Sequence, residues 1–546
     1  MKKITLFIIL AMLPFLLGSS YNYSFYGDVV YSVPGMTFST YFNEHTLGVK
    51  FDKPEYFVVY ENEIYVIDSG NNSLYVIDAN YHVKPGFPKQ EFNIEAGSVD
   101  KDIFIGETKS EDEKVIIFNK PEGLEIRDNI IYIADTQNRR IVKMNMDFEV
   151  IDLFKDPEDP VFKDIKAFEE NERLMREHEE AQNEAEKAHN EEQKYLPEID
   201  RTPYERVPNP YSSDDVPGVL FYPSKITVDN TERMYVIANN VFEGILELSP
   251  TGEFNRFTGV NPLKLSAAEI FRRSLMSEAQ KAKLTTFLPT SFTSVKMGDG
   301  NFIYATARAS SGNDKNMIQL INPKGLDVIK KNGYVVPMGD SQFMTNVNNH
   351  VVEGPSILLD IDYTEGGIYS VLDNKRSRIF TYDMEGNLLY ITGSQGSQSD
   401  KFTSGVSLGY LGDKIIVLDQ NSKTFVVYEP SNFGKLVNEA VRLEYEGDFE
   451  SSKDVWEEIV RINVNYEIAY GGIGRYYLRE KNYKEAVKYF KLSHSTYYYS
   501  KAYQNYRNEI LRRNFGWIFA GGLLIMGAVI GKAVYKKYMK GDKDED

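Results

Sequence analysis

Apolar and polar residues alternate with a period of two through most of residues 36–430, and Pro, Asp, Asn and Gly interrupt the alternation at recurring points. The stretches 54–78 (PEYFVVYENEIYVIDSGNNSLYVID), 121–145 (PEGLEIRDNIIYIADTQNRRIVKMN) and 355–383 share one order. Each gives a Pro, an apolar strand, a polar turn, a strand ending in Asp, a turn rich in Asn and basic residues, and a third strand. Residues 223–249, 289–310 and 403–429 keep the order with losses: 289–310 lacks the Asp, with Thr306 standing nearby, and Thr403 replaces the Pro of the last unit. A unit of this kind buries one sheet face and leaves the other uncovered. Six of them standing radially cover one another and shorten their edges, which predicts a mainly β chain with a six-bladed β-propeller over 21–430. The last unit stops at its third strand, so Met36–Asn43 is expected to supply the fourth and close the ring.

In the stretch IADTQNRRIVKM (133–144), Asp135 is expected to accept backbone N–H bonds across the turn and Asn138 to take a left-handed backbone. The equivalents are Asp68 with Asn71, Asp373 with Arg376 and Asp419 with Ser422. These residues read as turn formers and not as catalysts.

Pro54, Pro121, Pro223, Pro289 and Pro355 stand 66 to 102 residues apart, whereas a blade needs about 40–45. The excess predicts insertions. Within 155–219, no bulky apolar residue follows Met175 until Tyr195, so a helix there would be polar all round, and the segment reads as a solvated acidic arm or as disorder, with a docking element as the alternative. The insertion 262–288 differs: Ser266 with Glu269 and Ser277 with Gln280 make capping boxes, and Ile270, Phe271, Leu275 and Met276 form an apolar stripe. Two short helices are expected there, covering a blade edge or lidding the channel. From 431 the period becomes helical. Gly474, Tyr477, Ala486 and Phe490 recur 34 residues earlier as Ala440, Leu443, Ser452 and Trp456, which predicts two helix pairs over 431–511. Two repeats do not stand alone, so they must lean on the propeller, the next helix or a partner.

Both ends carry apolar runs. Lys2 and Lys3, the run Ile4–Leu17 and the small residues Gly18–Ser20 make 1–20 a signal peptide. Phe515–Gly531 is flanked by Arg512, Arg513, Lys532, Lys536 and Lys537. With Tyr535 and the Lys stems it suits a transmembrane helix over 515–535, which places 21–511 outside the cell membrane and 536–546 in the cytoplasm. Ser500–Arg513 has no Pro or Gly and is expected to run straight into that helix, where Gly527 and Gly531 suit a contact with a neighbouring membrane protein such as a transporter. The net charge of -18 excludes a nucleic-acid binder, and the absence of Cys excludes disulfides and thiolate metal sites.

The six units resemble NHL repeats, whose Pro-x-Gly, Tyr-Val-x-Asp and Asn-x-Arg-Ile elements are matched by Pro121, Gly123, Tyr132, Ile133, Asp135, Asn138, Arg140 and Ile141. Residues 431–511 resemble tetratricopeptide repeats. Propellers bind ligands at the channel mouth, where the residue after each strand-leading Pro is expected to point inward: Glu55, Glu122, Ser224, Thr290, Ser356 and Ser404. Two carboxylates and four hydroxyls suit Ca²⁺ or a sugar, against the plainer reading of a water-filled channel. No catalytic residue, metal set or other cofactor is assigned. Gluconolactonase-like propellers, which the resemblance also implies, use a Glu, an Asn and an Asp around one divalent metal; Glu55 stands for the Glu, and no mouth position supplies the others. Amidating-lyase propellers use channel His, but His45, His82 and His350 fall in loops or outer strands and His178, His189 and His494 outside the blades. The chain thus reads as a membrane-anchored extracytoplasmic binding or scaffold protein, with the bilayer, a protein and a small-molecule or sugar ligand as partners. The alternative is a metal-dependent hydrolase acting in the channel.

Overall fold

The computed structural model describes residues 21–24, 29–94, 115–197, 202–212, 216–259, 291–309, 316–333, 336–340, 345–347, 350–352 and 354–541. The expected signal peptide 1–20, the insertion 262–288 expected to be helical, and Thr290 lie outside these. The protein is a six-bladed β-propeller followed by helices. The innermost strands of blades one to six are Pro54–Tyr60, Pro121–Arg127, Pro223–Val228, Phe292–Met297, Leu358–Thr364 and Gly405–Leu411. Each lies beside the next, and the sixth returns to the first, which closes the ring.

Blade six takes its outer strand from the start of the chain. Met36–Asn43 pairs antiparallel with Thr424–Pro430, from Asn43 opposite Thr424 to Met36 opposite Pro430, and the Phe42 ring stacks on Phe425 at 4.6 Å. The edge that three strands would leave open is thereby paired. One apolar cluster fills the space between neighbouring blades: Ile67, Phe92 and Leu124 between blades one and two, for example, and Phe57, Ile64 and Ile416 between six and one. Packing between blades is what a lone sheet lacks, and it is where the hydrophobic stabilisation of the ring resides.

Asp68, Asp135, Asp373 and Asp419 do one job in their blades. Each reaches back about sixteen residues to accept the backbone N–H of Asp52 and Lys53, Asn119, Ile357 or Thr403, at 2.7–3.0 Å, where the chain enters the innermost strand. Asp135 also holds the fully buried Arg140 at 2.7 Å and accepts from Asn138 Nδ2 at 2.8 Å. The left-handed residue is the one after that expected: Asn72, Arg139, Ser377 and Lys423, with φ of 57°, 52°, 54° and 53°. Asn138 is instead used through its side chain.

The acidic arm is a helix, α1 (Ile165–Gln193), that buries none of its residues. The strand-free return 202–212 runs along it through polar contacts such as Arg206 to Glu186 and Tyr204 to Gln182. After blade six come α2 (Asn432–Glu446), α3 (Phe449–Ile462), α4 (Glu467–Arg479), α5 (Tyr483–Leu492) and α6 (Thr496–Gly541). They pack as antiparallel pairs in which a small residue faces a large one: Gly472 lies against the Trp456 indole and Gly474 against the Phe490 ring, so close that a Cβ on either would overlap the ring. The helices do lean on the propeller. Val437, Ala440, Trp456 and Ile473 share one cluster with Leu372, Leu389 and Leu408 of blades five and six.

The docked face carries charge. Glu385, on blade five, accepts from Lys330 Nζ, Asn332 Nδ2 and Tyr498 Oη at 2.6–2.7 Å. Burial opposes its ionised form, but these bonds outweigh it and hold the carboxyl down at about 2. Burial lifts the neighbouring Asp383 to about 6, against the pull of Arg475. The folded Asp383 therefore holds its proton more tightly than the unfolded chain does, and the stability this confers is complete below about pH 4 and lost as pH rises through 6. Glu385 acts in the opposite sense, losing its contribution as pH falls from about 4.5 towards 2. Thermal unfolding of the full chain is expected to show a lower midpoint at about pH 7 than at about pH 5, and Asp383→Asn to reduce that difference, the remainder belonging to the other buried carboxyls that burial raises, such as Asp360 and Asp373.

Candidate functional site

Each innermost strand carries one β-bulge near its start, and the bulge sets what faces the channel. The register skips Glu55, Glu122, Ser224, Thr293, Leu359 and Val406. The next residue inward is then Tyr56, Gly123, Lys225, Ser294, Asp360 or Ser407. Two residues on, the period of two returns Val58, Glu125, Thr227, Lys296, Asp362 and Gly409 to the same side. The channel is thus lined by an upper and a lower layer of six.

Both layers are cross-linked. Asp360 accepts from Ser294 Oγ of blade four at 2.6 Å, and from Ser407 Oγ and the Leu408 N–H of blade six at 2.9 and 2.8 Å. The Lys225 ammonium sits 4.0 Å over the Tyr56 ring and donates to the Glu122 carbonyl at 3.1 Å, passing the place where Gly123 has no side chain. Burial drags that ammonium below the usual lysine range, and Asp360 is the first group to oppose it. In the lower layer Lys296 of blade four reaches Glu125 of blade two at 3.3 Å, past the small Thr227. Burial works against Lys296 as well, but Glu125 and Asp362 outweigh it and hold the ammonium above its usual range. The Tyr410 N–H donates to Asp362 at 2.9 Å.

At the rim, Glu55 and Glu122 belong to adjacent blades. Glu55 is 2.9 Å from the Lys53 ammonium and accepts from Gln420 Nε2 at 2.8 Å; Glu122 accepts from Asn239 Nδ2 at 3.3 Å. Burial raises the Glu122 carboxyl, and repulsion from Glu55 adds to the rise. Ser224 donates to the Ile237 carbonyl of its own blade at 3.0 Å. Ser356 lies three residues before the bulge of blade five and donates to Asp373 at 2.8 Å. Ser404 lies two residues before the bulge of blade six, and its carbonyl accepts from Gln420 N–H at 3.0 Å. The structure therefore brings Glu55 and Glu122 together and turns Ser224 and Ser356 into their blades. The channel residues that sequence reasoning missed had a signal: Lys225, Lys296, Asp360 and Asp362 are charges inside strands whose alternation is otherwise apolar. Among the described residues, no three His, Cys, Asp or Glu side chains cluster as a metal site.

No family model and no curated protein matches this chain. Among solved structures, virginiamycin B lyase from Staphylococcus aureus is similar over 72% of this chain and 98% of its own, at 10% identity and a TM-score of 0.35. A Bacteroides thetaiotaomicron protein of unknown function is similar over 74% and 78%, at 12% identity and a TM-score of 0.36. Kuenenia stuttgartiensis hydrazine synthase is similar over 70% and 97%, at 10% identity and a TM-score of 0.33. The ring itself rests on the strand pairing described above.

Proposed function

We propose that the chain is a membrane-tethered extracytoplasmic binding scaffold. It consists of an NHL-type propeller over 21–430, a tetratricopeptide-like adaptor over 431–511 and one transmembrane helix over 515–535, with 536–546 in the cytoplasm and 1–20 removed on export. The observation that supports this most is the unbroken α6. Near its start Tyr498 is bonded to Glu385 of blade five and stacked on Phe490 at 5.3 Å, and further on it is long and apolar enough to cross a membrane. Trp517, Leu524 and Ile525 are 83%, 76% and 68% exposed. Such a surface is costly in water and is relieved by a bilayer. The position of the propeller is then coupled to the membrane and to any transporter that meets Gly527 and Gly531.

The alternative, a metal-dependent hydrolase, needs the rim carboxylates for a cation. An ammonium at 2.9 Å from Glu55 competes for that place. The test is co-purification from membranes with the full chain and with a Glu55→Gln, Glu122→Gln double variant. The scaffold reading expects the same protein partner with both and no lactone hydrolysis by either; lactone hydrolysis lost in the double variant, with no partner recovered, overturns it.

A further inference from the structure

We propose that the cleft between blade five and the helices receives the tip of the acidic arm of a second copy of this chain, so that copies join head to tail. The proposal goes beyond the scaffold reading and does not depend on it.

The cleft has a volume of about 660 Å³, within the range that seats a ligand or a pair of side chains. Met384 of the propeller and Val441, Tyr445 and Leu478 of the helices give it apolar walls. Its acids are already engaged. Glu385 holds the three partners described above, Glu444 accepts from Trp456 Nε1 at 2.8 Å and Arg475 Nε at 2.9 Å, and Asp383 accepts the N–H of Glu385 and of Asn387 in its own turn at 3.0 and 2.8 Å. The cations Arg479, Lys481 and Lys501 also line it, and among the described residues none of them has a carboxylate within ion-pairing distance. Arg479 only stacks on Phe449, at 4.5 Å. An apolar pocket under three uncompensated cations suits an acidic segment that carries an apolar anchor.

The arm has that chemistry. α1 holds ten Glu against four Lys and Arg, and at about 1.5 Å per residue it is about 43 Å long. Just beyond its end Tyr195 is 88% and Leu196 43% exposed, so the tip is not seated in its own cleft. The arm leaves the ring between blades two and three at the end where the innermost strands begin. The cleft lies under blade five, against Gly367 and the Asp383–Asn387 turn, at the opposite end. Two different complementary surfaces at opposite ends of the ring make a heterologous contact, which repeats head to tail as a closed ring or an open array.

The chain contains no Cys, which permits a clean disulfide trap in the full-length protein in its own membrane. Pro197→Cys with Arg479→Cys, under mild oxidation, is expected to give a ladder of dimers, trimers and higher species on a non-reducing gel. Co-expressing the two single variants is expected to give one dimer band and no ladder. Adding Tyr195→Asp, or Lys481→Glu with Lys501→Glu, is expected to reduce the cross-link at least about tenfold, as is molar salt. All the substituted positions are on the surface, and an unchanged circular dichroism spectrum verifies folding. A double variant that stays monomeric, an equal dimer from Pro197→Cys alone, or a photo-crosslinker at Arg479 that captures a different protein each overturns the proposal.

Discussion

Asp360→Ala is expected to lower the stability of the propeller by about 3–5 kcal/mol, the usual effect of removing one member of a buried, hydrogen-bonded charge set. Asp360 is fully buried and ties blades four, five and six at once, through Ser294, Ser407 and the Leu408 N–H. Its loss leaves two hydroxyls and an N–H without this acceptor and removes the main carboxylate facing Lys225. Asp360→Asn, which keeps one acceptor oxygen, should cost less. Glu55→Gln, on the solvent side of the same channel, should stay within about 0.5 kcal/mol. Thermal unfolding of the three variants in the full chain checks the order, and equal midpoints would mean that the channel charges do not hold the blades.

Deleting Met36–Asn43 should have a larger effect still. The strand pairs along its whole length with Thr424–Pro430, and Phe42, 2% exposed, packs on Phe425. Without it the ring has a free edge, and blades six and one lose a shared part of their core. The expected outcome is loss of the cooperative thermal transition, with faster amide exchange in Thr424–Pro430 than in the distant blade three. Phe42→Ala alone should cost about 3–5 kcal/mol. A deletion variant that melts as sharply as the parent would show that the ring does not need this strand.

Both effects fall on parts of the fold that differ in how far the sequence announced them. The blades could be read because each repeats a strand-turn-strand order, and the closing strand because six units fell one strand short. The turn bonds were legible for Asp68, Asp373 and Asp419, which accept the N–H of Gly70, Lys375 and Asn421 at 2.9–3.0 Å. Asp135 accepts no backbone N–H across its own turn, and the bonding of all four to the chain entering each blade was not foreseen. The left-handed position was displaced by one residue, because Asn138 bonds Asp135 through its side chain and leaves the strained backbone to Arg139. The mouth was harder. Taking the residue after the Pro finds the bulge in blades one to three, where Pro54, Pro121 and Pro223 begin the strand, but in blade five Pro355 comes three residues too early and blade six has no Pro. A bulge shifts every later side chain by one place, so a rule anchored on Pro could not see the layers holding Lys225 and Asp360. The cleft was illegible, since Met384 and Leu478 come together only when blade five meets α4. Nothing in the local sequence of either announces the other.

The central claim is that the propeller stands outside the cell on a helix that crosses the membrane, and a cysteine-free chain makes that directly measurable. Single Lys324→Cys, exposed on blade four, and Lys543→Cys variants are to be treated in intact cells with a membrane-impermeant maleimide, before and after permeabilisation. The account predicts labelling of Lys324→Cys in intact cells and of Lys543→Cys only after permeabilisation. Labelling of both in intact cells, or of neither, would contradict it.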